Sequence, residues 1–495
     1  MGLTACNTNK LNLLEENLID DNYDNYYEIF VYSYNDSNGD GYGDLNGVTQ
    51  KLDYIRDLGY TGIWLMPIMP ASSYHGYDVT DYYNINSMYG TFEDYDNLIK
   101  TAHDKGIKVI IDLVVNHTSK EHPWFRAGAA YRKGQSGGSS KYADYYNFST
   151  TSQDKYHSDG GGIYYEGQFD SWMPDLNLAD EGVREEIDSI IKFWLEKGTD
   201  GFRLDGCLYY FGSGSYDARS VEVCKFIKET ALKYNPNAYI VGETWDIRST
   251  IEQFYASGAD SFFYFPGAGT GDIVKALNGK SALEIYRSIE NAQKTAGDYI
   301  PAPFISNHDN GTSTLGRVAT RLSRDEEKIK FVYGLLSLYS GSCFTYYGDE
   351  IGMVPKNNGS DEDLRVGMLW DDGGVKTKLP TKGASNADFP FGSVESQLKD
   401  TGSILNYYKL CNNARNAFPA LMRGKVERTV LNDSQVLYMT KTYKEQTITV
   451  VVNLGTDSKT VEAAGTLAQS ICVTGNIKQN GNTLSMPKYS IAILT

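Results

Sequence analysis

From Tyr27 to about Asn416 the chain alternates short runs rich in β-branched and aromatic residues with stretches of helical period. Strands are expected at 28–33, 62–66, 107–115, 201–204, 238–242, 260–265, 302–305 and 342–346. Helices are expected near 47–58, 92–105, 182–197, 218–234, 247–257, 281–295, 323–339 and 400–416. Eight strands strictly alternating with eight helices predict an α/β chain closed into a (β/α)8 TIM barrel. The third repeat is irregular, because residues 118–177, rich in Gly, Ser, Tyr and Asp, separate its strand from its helix. A structureless loop of that length is improbable in a compact domain, so this stretch is read as a small inserted domain. Beyond Pro419 the pattern changes to two-residue alternation with polar turns, as in VLYMTKTY and TITVVVNL. Residues 418–495 therefore read as a separate antiparallel β-sandwich domain. The barrel takes 25–117 and 178–417, and residues 1–24 form an N-terminal tether.

A chain of 495 residues exceeds one ordinary core, in keeping with several domains. The formal charge of −17 argues against nucleic acid, whose binding needs basic patches. No stretch approaches the roughly 20 apolar residues of a membrane-spanning helix. The six cysteines show no CxxC or metal-ligand spacing, and five of them read as free, buried, small apolar residues.

Three expected strands end on an acid: GFRLD at 201–205, IVGE at 240–243 and FISNHD at 304–309. In a parallel barrel the carboxyl ends of the strands converge on one face, so Asp205, Glu243 and Asp309 are expected to meet there. Acids converging beside Arg203, His308 and aromatic rings are the equipment for cleaving a glycosidic bond, which typically needs two carboxyl groups across it. One carries a proton for the leaving oxygen, and the other is ionised to attack. Arg203, two residues before Asp205 and so on the same strand face, favours an ionised Asp205. Glu243 follows the apolar YIVG and precedes Trp245 by two residues, a setting that raises a carboxyl pKa towards that of a general acid. Asp309, beside His308, suits a bidentate grip on sugar hydroxyls. Singly, each acid is equally well explained as a helix cap or an ion-pair partner. The set, with its neighbours, is not. Tyrosine, at 39 against 19 Phe and 6 Trp, then gains meaning inside these motifs, because its ring stacks on sugar faces while its hydroxyl stays wet.

These segments, with DLVVNH at 112–117, resemble in order the four signature regions of the α-amylase family of glycoside hydrolases (family thirteen). MPDLN at 173–177 resembles the branch intermediate between oligo-1,6-glucosidases and neopullulanases. The resemblance implies a retaining mechanism with Asp205 as nucleophile, Glu243 as acid/base and Asp309 as transition-state stabiliser. It implies that His117, Arg203 and His308 contact the sugar whose bond breaks, with Tyr77, in YHGYD, as the platform beneath it. Asp78 resembles a contact on the non-reducing side, and Arg365, in RVGMLW, its partner; Gly367 stands there where relatives usually carry Pro. Leu208 and Tyr209 occupy the positions where relatives often carry a Lys-His pair that binds leaving-group sugars. In relatives the His carbonyl also joins a calcium site, for which Asn116 is the candidate here. Leu3-Thr4-Ala5-Cys6 resembles a bacterial lipobox, which implies membrane attachment through a lipidated Cys6 and an extracellular, cell-surface lipoprotein.

The loop DSNGDGYGDL after the first strand carries a stronger metal signal. Asp36, Asn38, Asp40 and Asp44, with a carbonyl near Tyr42, supply alternating oxygens on a Gly-rich turn, as a structural Ca2+ requires. Asx hydrogen bonds within an acidic turn are the other explanation. The expected function is an amylase cleaving α-1,4-glucosidic bonds of starch or maltooligosaccharides. An α-1,6-glucosidase or neopullulanase, or a 4-α-glucanotransferase, is the nearest rival. A non-catalytic carbohydrate-binding or transporter-associated barrel protein is the rival of a different class.

Overall fold

The computed structural model describes residues 11–211, 213–309, 316–357, 360–429 and 431–495. Eight parallel strands form one sheet: Asn25–Ile29, Gly62–Leu65, Lys108–Leu113, Gly201–Leu204, Tyr239–Gly242, Ser261–Phe263, Ile300–Ala302 and Cys343–Tyr346. Each pairs with its neighbours in chain order, and the first pairs with the eighth. A parallel bridge between Phe304 and Phe344 joins the remaining seam, so the sheet is a barrel. Strands buried on both faces read as continuous apolar runs, which is why they were visible in the sequence.

The helices outside the barrel begin where their caps direct. Thr91 and Asp94 form a reciprocal capping box for Phe92–Asp104. Asp180 caps Glu181–Glu196, and Asp217 caps Ala218–Tyr234. Two expectations shift. The first strand ends at Ile29, and Val31–Tyr34 instead make one turn of helix, all four residues buried. An apolar run of that length fits a buried turn as well as a strand, and periodicity does not separate them. The seventh strand pairs over Ile300–Ala302, earlier than the expected 302–305. A helix at Asp272–Gly279 was not anticipated.

Between the third strand and the Glu181 helix lie a helix at Pro123–Arg132 and a three-stranded antiparallel sheet of Phe148–Ser149, Ile163–Glu166 and Tyr156–Gly160. A bridge from His117 to Asp175 holds the two ends of this region together beside the barrel mouth. At the C-terminal end, a five-stranded and a three-stranded antiparallel sheet enclose Val451, Leu484, Met486 and Ala492. The alternate residues Val450, Val452, Ile491 and Ile493 face the helices Glu326–Leu336 and Ile404–Ala417. Both faces of the larger sheet are thus buried.

Residues 14–24 lie along the amino ends of the barrel strands. Glu16 pairs with Arg56, Asp21 with Arg423 at 2.6 Å, and Asp24 with Lys108 at 3.2 Å. Cys6, the residue of the lipobox-like run, lies outside the described residues. Cys207, Cys224, Cys343 and Cys411 are buried free thiols and Cys472 is a half-buried one. Among the described residues no helix is long and apolar enough to cross a membrane.

Candidate active site

Arg203 is the centre of the barrel mouth. It points inward from the fourth strand and is fully buried. Its Nη1 lies 2.5 Å from Asp112 Oδ1 and 2.6 Å from Asp205 Oδ1, and its Nη2 lies 2.6 Å from Glu243 Oε2. One planar guanidinium therefore joins three carboxyls from three consecutive strands through two terminal nitrogens held in a fixed fork. Its faces sit near the rings of Trp64 and Tyr77, at 5.1 and 5.7 Å.

Glu243 follows the fifth strand and is 1 % exposed. Its Oε2 also accepts a hydrogen bond from the Gly206 amide at 3.2 Å, whereas Oε1 is buried without a partner. Burial pushes its pKa up to about 8; Arg203 opposes this, and the charges of Asp205 and Asp309 add to it. The result is a carboxyl that keeps its proton at neutral pH and has one oxygen free.

Asp309 receives Arg365 Nη2 at 2.8 Å and lies 3.4 Å from His308 Nε2. His308 stacks on Tyr77 with ring centroids 5.4 Å apart, and Nε2 is 2.7 Å from the Tyr77 hydroxyl. His117 places Nε2 3.1 Å from the Tyr77 carbonyl oxygen. Burial lowers the pKa of both histidines, so both are neutral. Asp205, Glu243, Asp309, Arg203, His117, His308, Tyr77 and Arg365 thus share one connected cluster.

Asp78 stands apart from that cluster. Its Oδ1 accepts from the amide and hydroxyl of Ser73, and its Oδ2 is buried and unpartnered. The pairing expected between Asp78 and Arg365 is not made: the guanidinium is drawn to Asp309, to Asp361 at 3.4 Å and to the His308 carbonyl. Leu208 is buried, and Tyr209 packs against Phe169 of the inserted region at 4.6 Å and Trp245 at 6.0 Å. Phe169 in turn lies 5.1 Å from the His117 ring. Three rings, Phe169, Tyr209 and Trp245, therefore wall this side of the site.

Sequence reasoning passed over two site residues, Asp112 and Glu28. Each is an acid inside an apolar parallel strand, KVIIDL and NYYEI, and that mismatch was the available signal.

In the loop 36–44, Gly39 and Gly41 adopt φ of 83° and 93°, a left-handed backbone that folds the turn back on itself. The side-chain oxygens of Asp36, Asn38 and Asp40 accept amides of Asn38, Gly39, Gly41, Asp40 and Tyr42. Asp44 is engaged elsewhere, capping the following helix through Gly47 and holding Ser37. Lys378 donates to the Asp40 carbonyl at 2.7 Å and covers the Tyr42 ring. The donor set at 36, 38 and 40 suits a hard cation, while Asp44 is already committed. Asn116 hydrogen-bonds Asp175 at 3.3 Å. Among the described residues no group of three or more His, Cys, Asp or Glu side chains is assembled to hold a metal ion.

A profile described as the alpha-amylase catalytic domain matches residues 28–424. The chain is 37 % identical over 482 residues to Alpha-amylase 3 of Dictyoglomus thermophilum, covering 95 % of this chain and 92 % of that one. It is 30 % identical over 419 residues to a 4-alpha-glucanotransferase of Thermotoga neapolitana, covering 81 % and 89 % respectively. The solved structure of Eubacterium rectale Amy13B superposes with a TM-score of 0.91 at 38 % identity, covering 97 % of this chain and 96 % of that chain.

Proposed function

The chain belongs to the alpha-amylase catalytic-domain family, and from that premise we propose that it is a retaining hydrolase of α-1,4-glucosidic bonds in starch or maltooligosaccharides. It is a glycoside hydrolase of the α-glucan-acting family, so the binding-only reading falls away. The observation that carries the finer reading is the pairing of Asp205 and Glu243 across Arg203, with one Glu243 oxygen buried and without a partner.

In this mechanism Glu243 donates its proton to the glycosidic oxygen while Asp205 attacks the anomeric carbon, giving a covalent glycosyl-enzyme. The ionised Glu243 then takes a proton from water, which attacks the same carbon and releases the sugar with its configuration retained. Asp309, steadied by Arg365, grips hydroxyls of the distorted ring. Tyr77 stacks beneath it, and His117 and His308 line the same sugar. Asp78, with its free oxygen, serves the non-reducing side.

Transfer to a sugar acceptor is the second reading. It is favoured by the wall of Phe169, Tyr209 and Trp245, since aromatic faces hold a sugar acceptor in place of water. A product time course on maltooligosaccharides, amylose, pullulan and isomaltose, with wild type beside Asp205→Asn, separates these readings. Equal rates for the two proteins would defeat the assignment of Asp205.

The loop at Asp36, Asn38 and Asp40, with a carbonyl near Tyr42, is proposed to hold a structural Ca2+ far from the reaction, Asp44 keeping its place as the cap of the following helix. Such an ion would supply loop rigidity and no chemistry. The lipobox-like run at Cys6 supports a cell-surface lipoprotein, a location suited to a polymer too large to import.

A further inference from the structure

Glu28 is an acid in the middle of an apolar strand. It is 1 % exposed and places Oε1 2.6 Å from Nδ1 of His308. The contacts continue beyond the imidazole. Nε2 lies 2.7 Å from the Tyr77 hydroxyl, and that hydroxyl lies 3.4 Å from Oδ2 of Asp112. Four polar groups thus run in a row from the first strand to the acids around Arg203.

Donor and acceptor roles give this row a direction. Asp112 meets Arg203 Nη1 at one oxygen, at 2.5 Å, and Trp64 Nε1 at the other, at 2.8 Å. Guanidinium and indole N–H groups donate and never accept, so both oxygens of Asp112 are acceptors. Burial pushes Asp112 up to about 7, with the contacting Arg203 as the chief opposing influence, and above that pH it is a carboxylate. The Tyr77 hydroxyl then donates to Asp112, and its oxygen accepts from a hydrogen on His308 Nε2. A neutral imidazole carries one N–H. His308 is kept neutral by burial, with Arg365 and Arg203 adding to the effect. Its Nδ1 is therefore bare and needs a donor, and the group in contact is Glu28.

The surroundings of Glu28 agree. Among the described residues no lysine or arginine comes within ion-pair distance of its carboxyl, whereas Asp112 and Asp205 each have a guanidinium in contact. The charged and titratable groups facing it are Asp112, Asp309, Arg203, Arg317, Tyr346 and His308 itself. Burial pushes the carboxyl well above the usual range; Arg203 and Arg317 oppose this, and Asp309 and Asp112 reinforce it.

We propose that Glu28 is a positioning residue that, as the neutral acid, donates to His308 Nδ1 and fixes the imidazole as its Nε2–H tautomer. The one Nε2 hydrogen is then committed to the Tyr77 oxygen, whose own hydrogen turns to Asp112, so the Tyr77 ring is held from both sides beside Asp309 Oδ2, which lies 3.4 Å from that nitrogen. The opposite tautomer would turn the Tyr77 hydrogen to His308 and leave Asp112 Oδ2 without it. The part Tyr77 plays beneath a sugar rests on the function proposed above, but the tautomer does not.

The test is a long-range proton–nitrogen NMR correlation on the full chain labelled with 15N-histidine at pH 7.5–8, with the His308 signals assigned from a His308→Gln variant. The proposal expects His308 Nε2 to carry the hydrogen and Nδ1 to resonate as a bare nitrogen. A hydrogen on Nδ1 overturns it, whatever the activity of the enzyme. Glu28→Ala should lose the single-tautomer signature and lower kcat/KM at least tenfold. Glu28→Gln, whose amide N–H can make the same donation, should restore the signature and most of that loss. Equal damage by both substitutions, with the signature intact in each, would reduce Glu28 to packing. A failure of the function proposed above would instead appear as active Asp205→Asn, with the tautomer untouched.

Discussion

Replacing Glu243 by glutamine removes one proton and almost nothing else, so its cost can be worked from the site. With its pKa pushed up to about 8, roughly 90 % of Glu243 is protonated at pH 7, against ~0.3 % for a glutamic acid at 4.5. Burial thereby raises the competent fraction on the order of 300-fold, and general acid catalysis as a whole contributes about 10²–10⁴-fold. Glu243→Gln should lower kcat/KM on a maltooligosaccharide by about 10²–10⁴, or roughly 3–5 kcal/mol of barrier. On an aryl maltoside whose phenol leaves without protonation, the loss in the glycosylation step should shrink to about tenfold or less. The pH dependence supplies a second reading of the same group. The acid is competent below its pKa, so wild-type kcat/KM should fall about tenfold per unit above pH 8, and the variant should lack that limb. The same sign governs stability. A carboxyl pKa raised by folding gives stability that is full below about 4.5 and lost as pH rises through about 8, and the variant should flatten this component. An equal loss on both substrates, or a limb that survives in the variant, would refute the assignment.

Arg203→Lys keeps the charge but loses the rigid fork that meets three carboxyls at two nitrogens, and Arg203→Ala loses the charge as well; steady-state kinetics should show kcat/KM falling at least ~100-fold in the first, and denaturant unfolding a loss of about 3–5 kcal/mol in the second. Unchanged stability would mean that the three acids do not depend on the fork. Chelation by EDTA should lower the melting temperature with little change in activity at 25 °C, and Asp36→Ala should abolish that shift. Identical melting curves with and without chelator would remove the proposed ion. Tyr209→Ala opens the ring wall, and products longer than the substrate should decline relative to hydrolysis in a maltotetraose time course. An unaltered ratio would detach those rings from acceptor choice.

The helix at Ala218–Tyr234 was legible to the residue, because an Asp cap and a 3.6-residue period both mark its start. The strand ends bearing Asp205 and Glu243 were equally plain, since buried parallel strands announce themselves as short apolar runs. Val31–Tyr34 reads as strand in the sequence because four buried positions, three of them apolar, carry no period long enough to decide between helix and strand. The convergence of the three acids followed from barrel topology, but their contacts did not. Arg203 binding Asp112 and Glu243 as well as Asp205, and Arg365 turning to Asp309 rather than Asp78, depend on side chains brought together from different strands and loops, up to 91 positions apart, which no local pattern encodes. Asp112 and Glu28 could have been found by asking why an acid stands inside an apolar strand.

Residues 14–24 bind the floor of the barrel, through Arg56, Arg423 and Lys108, while Asp205, Glu243 and Asp309 follow the opposite, carboxyl ends of their strands. An attachment made beside residues 14–24 therefore lies on the far side of the barrel from that rim. Protein immobilised through that floor would turn its opposite rim outward to insoluble granules, and immobilisation by other surfaces would have to be tested for occlusion one at a time.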